Sequence, residues 1–157
     1  MKLMIIGETT GNRRSKENFS FLGTNAERYI WDELEKRGYK REDFHTYSVF
    51  SDKGHRVKSL TEEEKLEYQI SFQRELLMYM PDLILSVGRI PTQELLQEKV
   101  GGQYYDLVGQ LLYSQHYEVW FVPTIQPSVI ARDPEKIYVL QDNLDSFVET
   151  IKEFEYA

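Results

Sequence analysis

The sequence predicts an α/β protein: one three-layer α/β/α domain over residues 1–157, built on a mostly parallel central sheet. Three observations predict it. Leu3–Ile6 and Asp82–Gly88 are apolar runs too short for helices and suited to strands buried on both faces. Longer stretches with apolar residues at helical spacing alternate with such runs, which is the pattern of strands covered by helices on both sides. No repeat, low-complexity segment or linker divides the 157 residues, a length that fits one domain with a substantial core.

Taken in order, Leu3–Ile6 is the first strand. Gly7-Glu8-Thr9-Thr10-Gly11 turns the backbone, and a basic loop, Asn12-Arg13-Arg14-Ser15-Lys16, leads to Phe19-Ser20-Phe21-Leu22-Gly23. This polar stretch is longer than a plain connection requires. Thr24 and Glu27 have the spacing of a capping box for a helix over Asn25–Arg37, with Ala26, Ile30 and Leu34 on one face and Gly38 as its stop. Phe44–Phe50 reads as a second strand, followed by a polar loop, Ser51–Arg56. Thr61 to about Met80 is a long helix with an acidic first turn, and Leu66, Ile70, Phe72, Leu76, Leu77 and Met80 are expected to form one wide apolar face. After Pro81 comes the strand Asp82–Gly88, then a short helix from Pro91 or Thr92 to Lys99 and a break at Gly101-Gly102. Leu107–Tyr113 and Glu118–Val122 read as a hairpin-like pair around Ser114-Gln115-His116, Pro123–Arg132 as a loop, and Glu135–Phe154 as a final helix carrying Leu140, Leu144, Phe147, Val148 and Ile151.

Composition narrows the function classes. Apolar residues make up 41% and charged residues 29%, as in an ordinary soluble globular protein. The absence of cysteine excludes disulfides, iron–sulfur clusters and thiolate zinc sites, and three histidines at irregular spacing predict no metal centre. No cofactor is expected. No apolar run approaches the roughly 18 residues of a membrane span, and Met1-Lys2 leads straight into a strand, so a cytoplasmic location without membrane association is expected. The formal charge of −7 argues against broad, non-specific nucleic-acid binding while leaving room for a local basic groove.

The chemistry is expected where the first strand ends. In open α/β sheets ligands bind in the crevice at the carboxyl ends of the strands. Glu8, a carboxylate between two glycines, stands there. The glycine-rich turn is not a phosphate loop of the Walker type, because its lysine-serine end is missing. Tyr104-Tyr105 suits base stacking and pocket walls equally well.

Four segments in this order carry a family resemblance: Gly7-Glu8-x-x-Gly11, Ser20-Phe21-Leu22-Gly23, Asp82-Leu83-Ile84-Leu85-Ser86-Val87-Gly88-Arg89 and Pro123-Thr124-Ile125-Gln126-Pro127-Ser128. Together they resemble the uracil-DNA glycosylase superfamily, most nearly the group that usually carries an iron–sulfur cluster, over roughly Leu3 to Leu144. The resemblance implies a uracil-DNA glycosylase-like fold and hydrolysis of the N-glycosidic bond of a base flipped into a pocket. It implies a partner in DNA or in a nucleobase or nucleotide. Glu8 then positions water or stabilises the developing sugar cation, and Gln126 donates to the leaving base. Phe21 stacks on the base (Phe19 if the register differs), while Gly7, Thr9 and Ser48 complete the base site through backbone amides and a hydroxyl. Arg13, Arg14, Arg89, Ser128 and Arg132 are candidates for contacts to DNA phosphate, although a solvated charged surface explains the arginines as well.

The departures from the family pattern bear on specificity. Ser48 stands where an asparagine usually reads the base edge, and serine lacks the paired donor and acceptor of an amide. Gln126 replaces a histidine; it can donate a hydrogen bond but cannot become cationic. Arg14 replaces an acidic residue, and the cluster cysteines are absent. Three functions remain open: a glycosylase for a uracil-like or modified base; a weak or inactive relative that binds a base, nucleotide or DNA; and a module that binds a protein partner through its acidic exterior. Turnover abolished by Glu8→Gln, ligand binding abolished by Phe21→Ala, and a stoichiometric protein complex without either distinguish them.

Overall fold

A computed structural model of the chain describes residues 1–8, 27–49 and 60–156. Among these, five strands form one sheet: β1 (Leu3–Gly7), β2 (Phe44–Ser48), β3 (Leu83–Val87), β4 (Leu112–Ser114) and β5 (Val119–Thr124). Their order is β2-β1-β3-β5-β4, parallel except for the antiparallel pairing of the edge strand β4 with β5. The predicted three-layer α/β architecture is what the chain adopts.

Period-two alternation along each strand builds two cores. Leu3, Ile5, Leu83, Leu85 and Val122 face one side. They pack under α1 (Glu27–Lys36), through Ile30, Trp31 and Leu34, and under α6 (Lys136–Tyr156), through Leu140, Leu144, Phe147 and Ile151. Met4, Ile6, Ile84 and Phe121 face the other side, where α2 (Glu62–Tyr79) contributes Phe72 and Leu76 and α3 (Arg89–Leu96) contributes Leu95. Each fully buried side chain of this kind contributes about 1.5–3 kcal/mol through apolar burial. Polar contacts tie the end of α1 to α6: Gln141 Nε2 donates to Oε1 of the buried Glu33 at 2.9 Å, and Arg37 Nε, just past α1, donates to Oδ1 of the exposed Asp145 at 2.8 Å.

Helix ends follow the local chemistry. Thr61 and Glu64 form a reciprocal capping box at the start of α2, with both bonds at 3.1 Å. Gly38, at φ +90°, ends α1. The expected cap at Thr24, with Asn25 and Ala26, lies outside the described residues, as do Phe50 and the loop Ser51–Arg56.

Four expectations need correction. The wide apolar face of α2 is two stripes roughly 120° apart at 100° per residue. Phe72 and Leu76 meet the sheet, while Leu66, Ile70 and Leu77 are exposed, as is Met80 at the left-handed C-cap. Leu107–Tyr113 is not one strand. Its start belongs to the short helix α4 (Tyr104–Leu107), Gly109 turns the chain at φ +82°, and the strand is Leu112–Ser114. The break at Gly101-Gly102 is the start of a 3-10 turn, Gly101–Gln103, that leads into α4. Pro123–Arg132 is not a loop throughout: Pro123 and Thr124 finish β5, and Ser128–Arg132 forms α5, with Pro127 as its N-cap. A proline tolerates both places, since a strand's end and a helix's start leave its missing N–H unneeded.

Candidate active site

The site follows from the strand order. From β1 the chain passes through α1 to β2 on one side, then crosses back through α2 to β3 on the other, so the connections diverge between β1 and β3. Such a switch point leaves a crevice at the carboxyl ends of the two strands. Glu8 follows β1 directly, Gly88 and Arg89 follow β3, and Gln126 lies two residues beyond β5. With Ile90, Tyr104, Tyr105, Ile125 and Val129 these residues line a cleft of about 210 Å³.

Glu8 is half-buried, and burial pushes its carboxyl above the ordinary carboxylate range. Gln126 is also half-buried and lies against Gly88. Gly88 has φ +96° and ψ 171°, a conformation essentially confined to glycine, and a Cβ there would stand 2.7 Å from Gln126 Oε1. Hydrogen bonds hold that backbone. Gly88 N donates to Thr124 O at 3.0 Å, and Thr92 Oγ1 donates to Gly88 O at 2.9 Å while also bonding Ser86 Oγ at 2.9 Å.

Tyr104 forms the cleft's inner aromatic wall. It is buried and its hydroxyl donates to Thr124 O; burial pushes the phenol up, so it remains a protonated donor. The Arg89 guanidinium lies 5.6 Å from the Tyr104 ring centroid, within cation–π range, and is otherwise exposed. Tyr105 packs edge-on against Tyr104 but is 55% exposed, so one aromatic of the pair anchors the wall and the other stands on the rim.

Of the residues singled out in the sequence, the cleft gathers Glu8, Arg89, Gln126 and the pair Tyr104-Tyr105. Gly7 is buried within β1, paired in register with Ser48 of β2. Ser48 is fully buried, and its Oγ has no hydrogen-bond partner among the described residues; it is not among the residues lining the cleft. Ser128 and Arg132 are exposed on α5, also outside the lining set. Thr9, Arg13, Arg14, Phe19 and Phe21 lie outside the described residues. Among the described residues no group of three or more acidic or histidine side chains is arranged to hold a metal ion. None of the described helices is long and apolar enough to cross a membrane.

Sequence reasoning passed over the apolar lining residues Ile90, Ile125 and Val129, which carry no chemical signature of their own. It also passed over Asn143, buried on α6, whose Oδ1 accepts from Thr124 Oγ1 at 3.0 Å and from Ile125 N at 3.2 Å. A signal for Asn143 existed: an amide beside Leu144 in the apolar stripe of a helix requires buried partners.

No curated protein matches the sequence. The model of the Uracil DNA glycosylase superfamily matches residues 1–155. With its strand-end cleft and nearly its whole length inside that match, the chain belongs to the uracil-DNA glycosylase superfamily.

Proposed function

We propose that this protein is a DNA base glycosylase that hydrolyses the N-glycosidic bond of a uracil-like or modified base drawn into the cleft, a base-excision step of DNA repair. The observation that carries the proposal is the convergence of Glu8 and Gln126, from the ends of two different strands, on one cleft at the topological switch point. Pockets for drug-sized ligands run to roughly 300–1,000 Å³; the smaller space here suits a single heterocycle.

In this reading the C1′–N bond breaks with its electron pair passing to the base, and a water oxygen forms the new bond to C1′ while its proton passes to the Glu8 carboxylate and then, through solvent, to the departing base anion. Glu8, as the carboxylate, orients that water and offsets the positive charge on the sugar. The Gln126 amide donates to the base as negative charge develops on it. Arg89 and Tyr105 both line the cleft, and in this reading Arg89 takes a phosphate and Tyr105 stacks on a base. We assign Phe21 to the other face of the extruded base, the Thr9 amide to its edge, and Arg13 and Arg14 to the DNA backbone. Ser128 and Arg132 on α5 are outlying phosphate contacts in the same reading.

A second reading, binding of a base or nucleotide without turnover, is favoured by one specific observation. Gln126, at the position assigned to the donor, cannot become cationic, and the Ser48 hydroxyl is buried outside the cleft's lining residues and so does not itself reach the base edge. Base release from oligonucleotides carrying uracil, hypoxanthine, xanthine or 5-hydroxymethyluracil separates the two. The glycosylase reading expects one base to be released, with release lost in Glu8→Gln. No release of any base at protein in excess of DNA overturns it and leaves the binding reading.

A further inference from the structure

We infer that Asn143 is a positioning residue for Gln126, acting through Thr124 and Ile125. The assignment of a role to Gln126 rests on the functional reading above; the clamp itself rests on geometry alone.

A strand that has left its sheet is normally free to choose its path. Here the three residues before Gln126 are each held by groups from other parts of the fold. Gly109 N donates to Pro123 O at 2.8 Å. Thr124 O accepts from Gly88 N at 3.0 Å and from the Tyr104 hydroxyl. The Thr124 hydroxyl and the Ile125 amide both donate to a single atom, Asn143 Oδ1, at 3.0 and 3.2 Å. Thr124 is fully buried and Ile125 nearly so, which removes water as a competitor for these bonds. The next residue in the chain is Gln126, whose side chain then lies against Gly88, where the missing Cβ leaves it room.

The amide is costly where it stands. Its neighbours along α6, Leu140, Leu144 and Phe147, are fully buried and apolar, and a polar group placed among them without partners is destabilising. Both bonds that Asn143 Oδ1 accepts go to the segment entering the cleft. Gly109, at φ +82°, makes room for the rest of the amide: a Cβ there would lie 3.1 Å from Asn143 Nδ2. Three positions far apart in sequence, 109, 124 and 143, are thus matched to fix where residue 126 begins.

The test reads Gln126 directly. The ¹⁵N–¹H spectrum of its side-chain amide is expected to show two resonances displaced from free-glutamine positions, with relaxation that reports restricted motion, in the wild-type protein. Thr124→Val, which keeps the shape and removes one donor to Asn143, is expected to move both toward free-glutamine positions and mobility, and Thr124→Ser to restore them. Should Thr124→Val not fold, Asn143→Ala reports the same loss. A Gln126 amide already at free-glutamine positions and mobility in the wild type, or one unmoved in the folded variants, overturns the inference. If the wild type releases a base, Thr124→Val is expected to lower kcat by about ten- to a hundredfold with KM little changed, as misplacement of a reacting group does. In a Gln126→Ala background it is expected to have no further effect. Absence of base release by the wild type defeats the functional reading, and the amide spectrum still decides the clamp.

Discussion

Replacing Gly88 with alanine imposes two costs that fall on different observables. The first is backbone strain. At φ +96° and ψ 171° the residue occupies a region that side chains with a Cβ avoid, at about 1–3 kcal/mol. The second is a collision, with the new Cβ only 2.7 Å from Gln126 Oε1. That oxygen is the far end of a flexible side chain, so it swings away at little cost to stability while taking the amide out of the cleft. For a chain of 157 residues each kcal/mol lowers Tm by about 2–4 °C, so Gly88→Ala is expected to melt about 2–12 °C lower. In base release it should resemble Gln126→Ala, where loss of one transition-state donor costs about 10²–10³ in kcat. Thermal denaturation and single-turnover base release, measured on both single variants and the double variant, separate the terms. The double variant removes the collision and keeps the strain, so its Tm deficit should persist and its activity should fall no further than that of Gln126→Ala. A Gly88→Ala Tm within 1 °C of wild type, or full recovery of Tm in the double variant, would refute the assignment of the stability cost to backbone strain.

Two further predictions concern other sites. Burial pushes the Glu27 carboxyl up to about 7, against the opposing pull of the Arg41 guanidinium beside it. Its folded pKa therefore exceeds its unfolded one, and the folded state holds the extra proton. Stability from this group is fully present below about pH 4.5 and is lost as pH rises through 7. Urea denaturation at pH 5 and pH 8 is expected to show this loss in the wild type and a flatter profile in Glu27→Gln; equal slopes would contradict it. Tyr105, at 55% exposure, is expected to contribute to ligand binding and not to stability. Tyr105→Ala should weaken binding of single-stranded oligonucleotide by about 1–3 kcal/mol in a fluorescence titration, with Tm unchanged; unaltered affinity would remove it from the site.

The parts of the fold that were legible in the sequence are those where burial is symmetrical. Leu3–Gly7 and Leu83–Val87 are buried at every residue, so their apolar runs point to strands without ambiguity. The stripe of α6 was equally plain. Periodicity failed on α2 because it reports which residues share a face and not which face finds a partner. Leu66, Ile70 and Leu77 satisfy the spacing as well as Phe72 and Leu76 do, yet remain in solvent. Proline misled at Pro123 and Pro127, which punctuate the chain without breaking it, one finishing a strand and the other capping a helix. At the cleft, Glu8 was readable because it sits just past a strand end, whereas Arg89 and Gln126 were reached through the motifs of the family resemblance. Tyr104 and Tyr105 were not separable, since two adjacent tyrosines carry no mark of which is 4% and which 55% exposed. Asn143 was hidden because its partners lie 18 and 19 residues away in the chain.

The diverging crossovers at β1 and β3 have a consequence for how the cleft can change. Glu8, Arg89 and Gln126 stand one or two residues beyond three separate strands, and each strand is fixed by its ladder and not by the side chain it presents. The sheet behaves as a jig holding three independent tools. Exchanging one tool, such as an imidazole for an amide at position 126, leaves the mounts of the others where they were. Chemistry at this cleft can therefore be retuned one strand end at a time, with the cost confined to the few neighbours, Gly88 foremost, that are shaped to the side chain now in place.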